Sequence, residues 1–171
     1  EPELASSLSR PMKIVKPCRA TRSYTQSLLA SPDVVFALLC PVREADWIEG
    51  WDPLLVVSGS GVAEADAVFV TAAGADDAVW YITRHESQAG FVEMIRITPG
   101  VTACRLTIRL WPAAGGCTAD ITYTHTSLGP RGDAFVASFT MITIFFASRA
   151  SRAGRRSTMA PIAPFFIAPH A

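Results

Sequence analysis

The sequence predicts an α+β domain: a curved antiparallel sheet wrapped around a long C-terminal helix, with two short helices after the first strand. Three observations predict it. Between Asp52 and Ser127, six short β-prone runs are divided by turn signals, the pattern of an antiparallel meander. Ahead of that meander stands Ser31-Pro32-Asp33, a helix start. After Pro130, apolar residues recur at helical spacing. Strand, short helices, strands, then one helix is an α+β order.

Each element has its own warrant. Residues 1–19 carry Pro and Ser without a clear period and read as a loose lead-in. Residues 21–29 alternate and read as the first strand. Ser31 suits an N-cap, Pro32 the first helical turn and Asp33 the positive helix end. This helix carries Val35, Phe36, Leu38 and Leu39 toward a core and stops at Cys40-Pro41, because proline disfavours helix in the residue before it. A second short helix is expected over Pro41–Ile48, closed by Gly50. The six runs are Leu54–Ser58, Ala67–Ala72, Val79–His85, Phe91–Thr98, Val101–Trp111 and Cys117–Ser127. The last helix is expected from Pro130 to about Ala150. Arg131-Gly132-Asp133 at its start spells an adhesion tripeptide but reads as turn and cap chemistry. The domain therefore spans residues 20–150, and residues 151–171 form an irregular Arg- and Pro-bearing tail.

Composition narrows the function. With 171 residues the chain suits one domain that needs no disulfide or metal staple. Fifteen basic and fifteen acidic residues balance, which argues against a nucleic-acid binder with a clustered basic face. Half the residues are apolar, which argues against disorder. The four cysteines, Cys18, Cys40, Cys104 and Cys117, lack metal or redox spacing; with Cys40 and Cys104 inside apolar runs they read as buried free thiols, a disulfide pair being the alternative. No metal, no cofactor and no Ser–His–Asp constellation is expected. No apolar run reaches the ~20 residues of a membrane-spanning helix, and the acidic start is not a secretory signal, so the cytoplasm is the expected compartment.

The gap between the concave face of such a sheet and its helix becomes a cavity, and apolar cavities with a few polar groups hold small ligands. Alternation places Tyr123 and His125 inward on the last strand, with Ala119 and Ile121. Their polar tips suit ligand anchoring or acid–base work; the plainer reading is a core tyrosine and a rim histidine. On the preceding strand Cys104, Leu106, Ile108 and Leu110 turn inward, leaving Arg105 and Arg109 to solvent. Residues 91–97 allow two assignments. With Phe91, Glu93, Ile95 and Ile97 inward, Glu93 is a buried carboxylate and a candidate acid or base. With Val92, Met94 and Arg96 inward, Met94 lines the cavity and Arg96 meets an acidic ligand. Glu44, between Arg43 and Asp46, reads as an exposed helix residue. The expected lining is Trp47, Trp51, Trp80, Met94, Leu106, Ile108, Ile121, Tyr123, His125 and Phe139, with His125, Tyr123 and Glu93 as catalytic candidates.

The run Ser31-Pro32-Asp33-Val34-Val35-Phe36, the block Cys40-Pro41-Val42-Arg43-Glu44, and Trp47-Ile48-Glu49-Gly50-Trp51 resemble the first helices of START-like, or SRPBCC, domains. Trp80, Thr98-Pro99-Gly100 and Tyr123-Thr124-His125-Thr126-Ser127-Leu128 extend the likeness over about residues 22–140. The resemblance implies a helix-grip fold and a small hydrophobic or lipid ligand in an internal cavity, without catalysis. The superfamily also contains polyketide cyclase- and dehydratase-like enzymes and chaperone-ATPase activators, so an enzyme or an interaction module is the alternative. A homo-oligomer is left open. The C-terminus departs from the pattern: residues 141–171 hold no Asp or Glu, four arginines and a Pro-broken apolar end. Either the reading frame shifts after about residue 140, or a basic apolar tail touches a membrane surface.

Overall fold

A computed structural model of the chain describes residues 12–46 and 51–139. Seven strands make one open antiparallel sheet: β1 (Arg19–Leu28), β2 (Leu55–Val57), β3 (Val68–Ala73), β4 (Asp76–Glu86), β5 (Phe91–Thr98), β6 (Thr102–Ala113) and β7 (Gly116–Ser127). Two helices accompany it, α1 (Pro32–Leu38) and α2 (Pro130–Ser138). The sheet order is β1-β7-β6-β5-β4-β3-β2, so consecutive strands from β2 to β7 pair in turn and β1 returns to the far edge beside β7.

The strands fall within a few residues of the expected runs. β4 starts earlier, at Asp76, because Gly74-Ala75 alone closes the hairpin and Ala73 pairs Asp76. Every strand from β4 to β7 alternates a buried and a more exposed residue, so one face is core and the other meets water. The outer face is pinned by cross-strand hydroxyl contacts. Thr21 meets Thr124 at 3.1 Å, Ser23 meets Thr122 at 2.7 Å, and Thr25 donates to Asp120 at 2.7 Å. A one-residue slip would break this ladder and turn the core residues outward.

Helix α1 begins at Ser31, but the serine side chain makes no cap hydrogen bond; its backbone oxygen accepts from Val35 N at 3.1 Å. Val35, Phe36, Leu38 and Leu39 are buried against the inner face of the sheet. The expected second helix is instead a turn over residues 41–43 followed by a single 3-10 turn, Glu44–Asp46. Residues 47–50, including Trp47, lie outside the described residues.

The long C-terminal helix is described only over its first part. Helix α2 ends at Ser138, and Phe139 has extended backbone (φ −63°, ψ 106°). Ser138 Oγ donates back to the carbonyls of Ala134 (3.0 Å) and Phe135 (3.1 Å), the local bonding by which short hydroxyl side chains compete with the helix ladder. The remainder of the expected helix and the tail, residues 140–171, lie outside the described residues, as does most of the lead-in. At its start α2 is held to the sheet by an ion pair between Arg131 and Asp76. Arg131-Gly132-Asp133 is thus the helix's first turn. Among the described residues no helix is long and apolar enough to cross a membrane, and no cluster of His, Cys, Asp and Glu gathers as metal ligands do. The four cysteines are free thiols, three of them buried.

Candidate functional site

The site is built from side chains that antiparallel register brings into rows across the inner face. Trp80 of β4 lies opposite Arg96 of β5, Arg96 opposite Cys104 of β6, and Cys104 opposite His125 of β7. The next row runs Ile82, Met94, Leu106 and Tyr123. All eight of these residues are buried. Ile108 and Ile121 pair one row further along and are also buried.

Aromatic rings close the two sides. Phe69 of β3 stacks on Trp80 at 5.3 Å and 6°, and Trp51 leans on Phe69 at 6.4 Å. The Trp51 indole N–H donates to Pro41 O at 2.7 Å, and that of Trp80 to Thr71 Oγ1 at 3.0 Å. On the other side, α2 sets Phe135 edge-on to His125 at 4.9 Å. Phe139 stands 4.4 Å from His125 and 6.4 Å from Tyr123.

Strand β5 presents Val92, Met94, Arg96 and Thr98 inward, resolving the two assignments. Glu93 is therefore corrected: it lies on the outer face, half-buried, and accepts from Thr83 Oγ1 at 2.8 Å. The apolar look of its companions is what left both assignments open in the sequence. Phe91 sits on that outer face yet is hidden from water, because the Arg84 and Arg109 guanidiniums cover its ring at 4.5 Å and 4.4 Å. An aromatic ring shielded by arginines needs no place in the core.

Among the described residues, one arginine, one histidine and one glutamate are buried inside. Arg96 is 8% exposed, His125 3% and Glu44 1%. The Arg96 guanidinium lies 5.3 Å from the Trp80 ring, and its Nε has no hydrogen-bond partner among the described residues. Burial lowers its basicity, against the opposing pull of Cys104 and Tyr123. Burial and then the nearby Arg96 push the His125 imidazole down to about 4, so it is neutral at pH 7. Its Nδ1 also has no partner among the described residues. Burial lifts the Tyr123 hydroxyl well above its ordinary range and raises the Cys104 thiol to about 12. Tyr123 is where these groups meet, since Tyr24, Cys104, Glu44 and Arg96 all act on it electrostatically.

Glu44 corrects the expectation of an exposed helix residue. Its backbone N–H bonds Cys40 O at 2.9 Å, which folds the chain into the core after Pro41. The flanking Arg43 and Asp46 pair at the surface at 2.7 Å, so neighbouring charges disguised a buried one. Burial holds the Glu44 carboxyl well above the carboxylate range. Its folded form keeps a proton that the unfolded chain releases above its ordinary value of 4.5, so stability is lost as pH rises beyond that point. Glu44→Gln is expected to raise the thermal midpoint more at pH 8 than at pH 4. Melting curves at both pH values check this, and an equal shift at both would refute it. Tyr24, Gln26 and Thr98 also carry buried oxygens without partners among the described residues, and the sequence reading named none of them for the site. Their alternation on β1 and β5 was the available signal.

No family model matches the chain, and no curated protein matches it in sequence. Solved structures match its fold. Norcoclaurine synthase from Thalictrum flavum aligns with a TM-score of 0.58 at 10% identity, over 84% of this chain and 91% of that one. An uncharacterised protein from Rhizobium leguminosarum aligns with a TM-score of 0.57 at 14% identity, over 73% of this chain and 88% of that one. A protein from Rhizobium loti aligns with a TM-score of 0.53 at 14% identity, over 72% and 97%. At such identities the likeness is one of fold: a seven-stranded antiparallel sheet compatible with the helix-grip architecture that the sequence resemblance implies.

Proposed function

We propose that this chain binds a small amphipathic molecule, an apolar body with one polar end, between the inner face of its sheet and the covering helices, without changing it chemically. One observation carries the reading. Arg96 Nε, His125 Nδ1 and Thr98 Oγ1 are buried on adjoining rows of one face, each without a hydrogen-bond partner among the described residues. Each unmet buried group costs roughly 1–3 kcal/mol, a cost that a bound polar group removes. The aromatic and aliphatic side chains around them suit the apolar body. Trp51, Trp80, Met94, Leu106, Ile108, Ile121, Tyr123, His125 and Phe139 are the proposed lining. Norcoclaurine synthase, which shares the fold, has been solved in complex with dopamine and hydroxybenzaldehyde. That supports a ring-bearing ligand here. The test has two arms. Denaturing and extracting the purified protein is expected to release a small apolar species. Titrating stripped protein with uncharged 2-naphthamide is expected to quench tryptophan emission to saturation. No released species and no saturable quenching together would overturn the proposal.

A cyclase- or dehydratase-like enzyme is the second reading. Its support is a pair of buried groups pushed in opposite directions, Glu44 toward its protonated acid and His125 toward its neutral base. Such an enzyme would exchange the methyl protons of 2-acetonaphthone in heavy water, and both Glu44→Gln and His125→Leu would stop it. Exchange no faster than in buffer rejects this reading.

A further inference from the structure

Arg96 is the one buried Lys or Arg among the described residues. A guanidinium taken out of water is costly unless a negative charge meets it. Among the described residues no carboxylate does. The three ion pairs of the described residues are at the surface and none includes Arg96. The groups that act on it, Cys104 and Tyr123, are neutral at pH 7 by their raised positions. Glu44, also buried, is not among them. Beside Arg96 the row steps down to the small Cys104 before rising to His125 on the next strand. Neighbouring strands are about 4.8 Å apart, so Arg96 and His125 have backbones roughly 10 Å apart over a low floor. That span fits one carboxylate, with the guanidinium on one side and the unpartnered imidazole on the other. Behind the guanidinium the Trp80–Phe69 stack offers a flat wall.

Resting on the binding reading above, we infer that the ligand is an aromatic monocarboxylate, its carboxylate held over Cys104 by Arg96 and its ring set among Trp80, Met94, Leu106 and Phe139. One buried cation matches one negative charge, which disfavours a phosphate ester with two. Arginine presents a planar fork that suits a carboxylate.

A matched pair of probes tests the charge. At pH 7.5 the wild-type protein is expected to bind 2-naphthoate at least about tenfold more tightly than 2-naphthamide, a gap of about 1.4 kcal/mol. Arg96→Met is expected to bring the two within about twofold by weakening naphthoate far more than naphthamide. Arg96→Lys is expected to keep part of the preference. Without ligand, Arg96→Met is expected to melt at or above the wild-type midpoint, since it removes an uncompensated buried charge. Equal affinity of the wild type for both probes overturns the inference while leaving the binding reading intact. So does a tenfold preference that survives Arg96→Met. A marked fall in the Arg96→Met midpoint also overturns it, because the guanidinium would then have an internal partner. If neither probe binds the wild type, this inference fails, and the binding reading fails with it when extraction also releases no small molecule.

Discussion

Gly132→Ala is expected to cost about 3 kcal/mol of stability, at the upper end of what overpacking usually costs. The reason is close approach. A Cβ built on Gly132 would lie 1.9 Å from Val101 O and 2.7 Å from Ser127 Oγ. The serine hydroxyl has little freedom to turn aside, since it donates to Gly129 O at 2.8 Å and accepts from Gly129 N at 3.2 Å. The carbonyl has none, because it accepts from Leu128 N at 2.9 Å and belongs to the turn between β5 and β6. Alanine would therefore lift the first turn of α2 off the sheet. That helix carries Phe135, with Phe139 at its end, and both rings cover His125. Naphthamide quenching should weaken together with the thermal midpoint. Ala137→Gly, at an exposed position of the same helix, is the control and should cost about 1 kcal/mol through helix propensity alone. If denaturant unfolding finds Gly132→Ala no worse than that control, α2 does not dock as described.

Acidification should destabilise the protein through His125 by about 3 kcal/mol between pH 6.5 and pH 4. The unfolded histidine takes up a proton near its ordinary value of 6.5, whereas the folded one resists until about 4. Between these values the unfolded chain binds more protons, so the folded state loses stability as pH falls. Above pH 6.5 the contribution is whole; below about 4 nothing further is lost. Burial among Phe135, Phe139 and Tyr123 is the first cause, and the Arg96 charge is the second. Glu44 works the other way over its own range, which is why the isolated variant matters. His125→Leu should flatten the slope of unfolding free energy between pH 4 and 6.5 relative to wild type. Parallel slopes for the two proteins would show that His125 titrates normally and stands in water.

The strands were legible because their alternation has a period of two and their breaks contain turn residues, both local properties. The start of α1 was legible at Ser31-Pro32-Asp33, and its end at Cys40-Pro41, for the same reason. Tyr123 and His125 were legible as inward groups because β7 alternates cleanly against Ala119 and Ile121. Local chemistry failed where a neighbour distant in sequence decided the outcome. Glu93 lost the inner face because Arg84 and Arg109, from two other strands, shield Phe91 outside. Glu44 went inside although its neighbours are charged, since the turn after Pro41 breaks the helical spacing by which its direction would be read. The stop of α2 at Ser138 ran against an apolar stripe that promised more helix.

Alternation and turn chemistry thus sufficed for an antiparallel α+β sheet and for the direction of most of its core side chains. Only the tertiary structure decided that Trp80, Arg96, Cys104 and His125 form one row across four strands. Pairing register is a relation between strands, and the meeting of a buried guanidinium with a neutral imidazole exists only once β5, β6 and β7 lie side by side.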